Sequence, residues 1–155
     1  MTDNIPAELK KLEELAASGS SQAFYELGLA YKQGGLVGQD HGKAIRYWKE
    51  AARLKNAEAL VELGKAFYDG IGTVQDPDFA FNCWNDAATL GNVPAMFHLA
   101  QLFMDGYRNI SGEDETFKWL SKAADAGHQE APYFLARGHR TGQWGIPVDE
   151  AEAAK

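Results

Sequence analysis

This chain is poor in cysteine, in basic charge and in long apolar runs, and each shortage excludes something. The lone cysteine, Cys83, cannot staple the chain to itself, so no disulfide framework is expected. Lys and Arg number 15 against 22 Asp and Glu, a net charge of −7. That balance lacks the basic footprint of phosphate-backbone binding and disfavours docking on anionic lipid. No stretch approaches the roughly 20 apolar residues of a membrane helix. The start, Met1-Thr2-Asp3-Asn4-Ile5-Pro6, has neither the basic residues nor the apolar run of a secretory signal. Neither nucleic acid nor membrane is expected as a partner, and the expected location is cytoplasmic. Chemical motifs are missing too. No His, Cys and carboxylate spacing resembles a metal site, and no Gly-x-Ser-x-Gly or phosphate-cradling loop occurs. No catalytic residue, metal or cofactor is therefore expected.

What the chain does have is a repeat of 36 residues, carried through three intervals without an insertion. Leu27, Leu63, Leu99 and Leu135 keep that spacing, as do Ala23, Ala59, Ala95 and Ala131, and Gly34, Gly70, Gly106 and Gly142. The pairs Ala51-Ala52, Ala87-Ala88 and Ala123-Ala124 recur in step. A fixed period in this range marks a solenoid, in which each unit buries its apolar face against its neighbours, and the helical stripes within its units make it all-α.

The second unit shows the plan. Leu60, Leu63, Gly64 and Phe67 fall at i, i+3, i+4 and i+7, the stripe of an amphipathic helix A over about 56–69. Gly70-Ile71-Gly72 stops it, and Asp76-Pro77 supplies an N-cap acceptor followed by proline at the first helical position. Helix B follows, with Ala80, Cys83, Trp84, Ala87 and Ala88 on one stripe. Its equivalents are Ala44, Tyr47, Trp48, Ala51 and Ala52 in the first unit, and Thr116, Trp119, Leu120, Ala123 and Ala124 in the third. Small residues let helix axes approach while aromatic ones fill the space between turns. Gly28, Gly64, Ala100 and Ala136 share one position in helix A for the same purpose.

Shifted back by one period, Leu12, Leu15, Ala16 and Gly19 stand where Trp48, Ala51, Ala52 and Lys55 do, so residues 6–18 read as a lone capping helix B. At the other end, a fourth helix A over about 129–140 leads, after one extra loop residue, into the beginning of a helix B at Glu150. Pro132 and His139 break the pattern there. Either the protein ends on a poorly covered helix or the chain is part of a longer array. In the first case Tyr133 and Phe134 are expected to be exposed and to support weak self-association through the C-terminal end.

These units resemble the Sel1-like repeat, a relative of the tetratricopeptide repeat. The first carries Ala23, Leu27-Gly28, Tyr31, Gly34, Asp40, Lys43-Ala44, Trp48 and Ala51-Ala52. The second carries Ala59, Leu63-Gly64, Phe67, Gly70-Ile71-Gly72, Asp76, Ala80, Trp84, Ala87-Ala88 and Gly91. Departures are Gly112 for the loop Asp, Ala100 and Ala136 for Gly, and His139 for the aromatic. The resemblance implies one domain over 1–155, with the capping helix at 6–18, full repeats at 20–55, 56–91 and 92–127, and an incomplete fourth at 128–155. It implies a right-handed superhelix of antiparallel helix pairs, a bacterial source, and an interaction scaffold rather than an enzyme.

The resemblance also places helix A on the concave face. Residues of helix A outside its packing stripe then form three rows: Tyr25, Val61, Phe97, Tyr133; Leu29, Lys65, Gln101, Arg137; and Lys32, Tyr68, Met104, Arg140. Gln33, Asp69 and Asp105 border them. The first row, apolar or aromatic throughout, suits packing between A helices as well as ligand contact. The other two vary in type, and Lys65, Arg137 and Arg140 are expected to make the groove locally basic, suiting a peptide or protein loop with apolar residues beside carboxylates. Single residues with chemical potential have plainer readings. Cys83 holds a core slot equivalent to Tyr47 and Trp119, His98 lies at the edge of helix packing, and Glu113-Asp114-Glu115 begins a helix where carboxylates suit the dipole. Two rival functions remain: an inhibitor or immunity-type protein that occludes a toxin or enzyme, and a hydrolase. The hydrolase reading follows from relatives linked to β-lactam binding, which are rich in paired cysteines.

Overall fold

The computed structural model describes residues 6–35, 37–107 and 113–154. Gly112 of the third loop, and the side chains of Glu113 and Asp114 in the acidic run, lie outside the described residues. The chain is all-α, with no strand among the described residues. Its contacts divide it into two compact units, Met1–Ala87 and Ala88–Lys155. The first holds α1 (Ala7–Ala17), α2 (Ser21–Gln33), α3 (His41–Arg53), α4 (Ala57–Asp69) and most of α5 (Pro77–Thr89). The second holds the end of α5, then α6 (Val93–Met104), α7 (Glu113–Asp125), α8 (Ala131–Thr141), a 3-10 turn at Gln143–Gly145, and α9 (Glu150–Ala153).

The helix boundaries are set by polar caps that recur with the period. The side chains of Ser20, Asn56 and Asn92 accept the backbone N–H of Ala23, Ala59 and Ala95 at 3.2, 2.8 and 3.0 Å, satisfying donors that have no partner within an A helix. Asp40 and Asp76 do the same for α3 and α5, accepting from Lys43 at 2.8 Å and Phe79 at 2.9 Å. The A-to-B loop is tied by one repeated bond: the N–H of Asp40, Asp76 and Asp149 donates to the carbonyl of Tyr31, Phe67 and His139. Gly34, Gly70 and Gly142 end their helices in the left-handed region, where a Cβ is disfavoured.

A left-handed residue also follows each B helix: Gly19, Lys55, Gly91 and Gly127. Lys55, at φ 59°, is the odd member. A non-glycine residue there costs about 1 kcal/mol, partly offset by the lower chain entropy it brings to the unfolded state. Lys55→Gly is expected to stabilise the protein by about 0.5 kcal/mol, read as a higher urea midpoint; an unchanged or lower midpoint refutes it.

Within the first unit, the tryptophan of each B helix lies directly on the glycine of the preceding A helix. A Cβ on Gly28 would overlap the Trp48 indole, and one on Gly64 the Trp84 indole. The indole N–H of Trp48 donates to the Tyr25 carbonyl and that of Trp84 to the Val61 carbonyl, both at 3.3 Å. Antiparallel packing of α2 on α3 follows from the side-chain order: Tyr31 meets Lys43 and Tyr47, while Gly28 meets Trp48. Helix α1 packs on α2, in a register rotated from the expected one. Leu9 and Ala16 are buried and Leu12 packs beside them, whereas Leu15 is 43% exposed, although its equivalent Ala51 is fully buried. Leu9, Leu12 and Ala16 fall at i, i+3 and i+7, and that stripe is the one α1 turns inward.

In the second unit, Ala95, Leu99, Ala100, Leu102, Leu120 and Ala123 form the buried interior. The fourth repeat is thinner. Leu135 is only half-buried, unlike its three equivalents, but the helix is not bare. Ile146, in the loop that leads to α9, folds onto Gly138 and is fully buried. Pro132 starts α8 rather than breaking it, since proline suits the first helical turn. Tyr133 is 65% exposed as expected, whereas Phe134 is half-buried, within ring contact of Phe97 and Trp144.

Candidate functional site

A candidate site on the A-helix side lies in the first unit. Residues of α2, α3 and α4 and of the loop after α4 line a half-open cavity of about 240 Å³. Trp48 and Ala66 form its apolar lining, Ile71 is exposed at the edge, and Lys32, Glu62, Lys65, His41 and Asp69 complete it. The loop is held close: a Cβ on Gly72, itself at φ 75°, would overlap His41.

Glu62 organises the polar side. Its carboxylate takes the Lys32 ammonium from α2 at 2.6 Å and the Lys65 ammonium one turn along α4. The Glu62 side chain is 12% exposed, against 42% and 36% for the two lysines. Burial alone would raise its pKa, but hydrogen bonds and charge from Lys32 and Lys65 outweigh it, so the carboxyl lies below its ordinary value. A folded-state pKa below the unfolded one stabilises the protein above about pH 4.5, and that stability is lost as pH falls through the folded value. Glu62→Gln is therefore expected to lower the urea midpoint at pH 7 and to cost less at pH 3. An equal cost at both pH values would show that the ion pairs carry no net stability.

The candidate residues are placed as follows. In the first unit, Lys32 and Lys65 meet through Glu62, and Tyr68 packs on Trp84 with ring centroids 5.6 Å apart. Leu29 lines a separate hollow with Glu26, Ala30, Gln33 and Gly35. Tyr25 is half-buried; burial first, then the charges of Glu62, Glu58 and Glu26, push its hydroxyl pKa up. Val61, 7% exposed, belongs to the core. In the second unit, Phe97 is 5% exposed and stacks on His128 at 4.1 Å. Gln101 bonds His98 at 3.0 Å, the same i, i+3 pairing that Glu62 and Lys65 make. Arg137 lies 5.4 Å from the centre of the Trp144 ring, Met104 is half-buried, and Tyr133 and Arg140 are exposed.

One open alternative narrows and, for the cavity of the first unit, one expectation changes. The first row supplies packing where Val61 and Phe97 stand, because the carbonyls and side chains at this position receive neighbouring rings. The cavity is not basic, because Glu62 neutralises charge from both lysines and Asp69 stands beside them. Glu62, His41, Trp48 and Ile71 are cavity residues that the row reading missed. The Glu62–Lys65 pair carries a readable signal in its helical spacing; the bond to Lys32, 30 residues away, carries none. Among the described residues, no three His, Cys, Asp or Glu side chains gather as a metal site, and no helix is long and apolar enough to cross a membrane.

With this geometry in place, the chain can be set beside known proteins. The Sel1 repeat pattern matches four consecutive segments, residues 21–56, 57–92, 93–128 and 129–155. No functionally curated protein matches the chain. Among solved structures, it is similar to a protective antigen present in uropathogenic Escherichia coli strains that displays an SLR fold. The TM-score is 0.86 at 22% identity, over 94% of this chain and 31% of the other. It is similar to a Sel1 repeat protein from Oxalobacter formigenes, with a TM-score of 0.80 at 22% identity over 89% and 55% of the two chains. An immunity protein from Pseudomonas aeruginosa matches with a TM-score of 0.55 at 25% identity, over 86% and 49%. The chain thus spans between 31% and 55% of the length of these three structures.

Proposed function

The chain belongs to the Sel1 repeat family, and from that premise we propose that it is a non-catalytic scaffold holding a peptide or loop of another protein. Sel1 repeat proteins generally serve as protein–protein interaction scaffolds. The observation that carries the reading for this chain is the cavity beside the Lys32–Glu62–Lys65 cluster. It joins a buried indole and an exposed isoleucine to a fixed, charge-balanced polar edge. An apolar side chain of the partner fills such a cavity, and the ion-paired edge orients the main chain beside it. The setting proposed is cytoplasmic, which a single buried cysteine suits.

Site-specific photocrosslinking tests this. A photoreactive residue replacing exposed Asp69, at the cavity, is expected to capture a defined protein from lysate of the source cell. One replacing exposed Arg53, at the end of α3, serves as the comparison and is expected to capture none. Capture from position 53 alone would move the site away from the A helices.

A second reading, an inhibitor or immunity-type protein that occludes a toxin or enzyme, draws support from the similarity to the Pseudomonas aeruginosa immunity protein. The net charge of −7 suits a basic target. The two readings part on the captured protein: an occluded enzyme loses its activity when this chain is added, whereas a scaffolded partner keeps it.

A further inference from the structure

The first repeat lacks a ring that closes the second. On α5, Phe79 lies against Phe67 of α4 with centroids 4.2 Å apart. One period earlier the same two positions hold Lys43 and Tyr31. The Lys43 ammonium sits 5.1 Å from the centre of the Tyr31 ring, where the second repeat has a phenyl ring. A thin, flexible stem fills less of that space, and a recess of about 460 Å³ opens beside it. Its walls are Phe24, Tyr31 and Tyr47, the two tyrosines stacked at 5.5 Å and 17°. Its rim is Lys43, Arg46 and Lys49, all exposed.

The rim is cationic, although the Glu13 carboxylate of α1 acts on Tyr47 in the wall. None of these three side chains pairs with a carboxylate among the described residues, and Glu50, the acidic member of the lining, is turned to Arg53 at 3.4 Å. The second repeat has Phe79, Asn82 and Asn85 at the three rim positions, and the third has Glu115, Lys118 and Ser121. Three cations without a carboxylate partner, of which Lys43 lies over the Tyr31 ring and Lys49 over the Phe67 ring, border this recess on a chain of net charge −7 and mark a surface complementary to acid.

We propose that this recess docks an acidic peptide segment of a partner protein. An aromatic side chain of the partner enters the recess beside Lys43, against Phe24, Tyr31 and Tyr47, and flanking carboxylates meet Lys43, Arg46 and Lys49. The site is separate from the cavity between α2 and α4 and shares none of its lining residues. Its charge also excludes a partner that merely needs an apolar hole.

The test is fluorescence anisotropy on the full chain with a labelled, end-blocked peptide, Asp-Glu-Phe-Glu-Asp, beside its uncharged counterpart Asn-Gln-Phe-Gln-Asn. The acidic peptide is expected to bind and the amide peptide to bind at least about tenfold more weakly. Lys43→Phe restores the arrangement of the second repeat. That variant is expected to keep or raise the melting temperature while weakening the acidic peptide about tenfold. The triple substitution of Lys43, Arg46 and Lys49 by Gln is expected to weaken it as much, and Lys32→Gln/Lys65→Gln to leave it unchanged. The proposal falls if the amide peptide binds equally, if Lys43→Phe retains full binding, or if the Lys32/Lys65 variant loses it. It falls in favour of nucleic acid if a single-stranded oligonucleotide of equal charge binds more tightly. It falls in favour of a second copy if the wild type dimerises in the centrifuge and the triple variant does not.

Discussion

Gly64→Ala is expected to destabilise the protein, although alanine is the better helix former. In an exposed helix the change is worth about 1 kcal/mol in favour of alanine. Here the new methyl would overlap the indole of Trp84, a rigid ring whose N–H is already committed to the Val61 carbonyl at 3.3 Å. The ring has to move or the helices part, and overpacking of this kind costs about 1–3 kcal/mol. Losing the buried indole hydrogen bond adds about 1 kcal/mol more. The net loss is expected to be about 2 kcal/mol, or a fall of about 5 °C in Tm for a chain of this size. Gly28→Ala meets Trp48 in the same way and is expected to behave alike.

The chain itself contains the compensated form of this substitution. In the third repeat the glycine position holds Ala100 and the tryptophan position Leu120, both fully buried. Trp119 stands one residue earlier, and its indole N–H donates to Glu115 at 3.0 Å instead of to a helix carbonyl. Gly64→Ala/Trp84→Leu copies that pairing. Trp84→Leu alone leaves a cavity, at a cost of about 3 kcal/mol, so the double variant is not expected to match the wild type. It is expected to be more stable than the sum of the two single losses by about 1 kcal/mol or more. Additive losses would show that glycine and tryptophan are not paired through this contact.

How much of this was legible beforehand depends on how local each feature is. The helices, the Asp76 cap and the glycine stops could be read because each is decided within a turn or two of chain, and the period repeats the decision. The tight Gly28–Trp48 contact was legible only as a tendency of small residues to admit large ones. The rotation of α1 that exposes Leu15 was not, since a terminal helix has one neighbouring layer and any of its apolar stripes could face inward. Nor was the folding of Ile146 onto Gly138, which depends on where a loop returns in space. The site divides along the same line. Position in the repeat brought Lys32 and Lys65 to notice, but their neutralisation by Glu62 requires the distance between α2 and α4.

Cys83 gives the second large effect. It lies 5% exposed on the inner stripe of α5, where burial, reinforced by the Asp86 charge and only partly opposed by Lys49, pushes its thiol up to about 12. A thiol reacts through its thiolate. At pH 8 the thiolate fraction of a group at about 12 is about a thousandfold below that of an ordinary cysteine near 9.0. Restricted access slows attack further. Alkylation by iodoacetamide in the native protein is therefore expected to be at least about a thousandfold slower than in urea. It should proceed mainly through opening of the first unit, so Gly64→Ala should speed it by about the factor by which stability falls, roughly thirtyfold for 2 kcal/mol. A native rate close to the unfolded one would instead make Cys83 an accessible, activated thiol. That outcome would open the question of chemistry at this position.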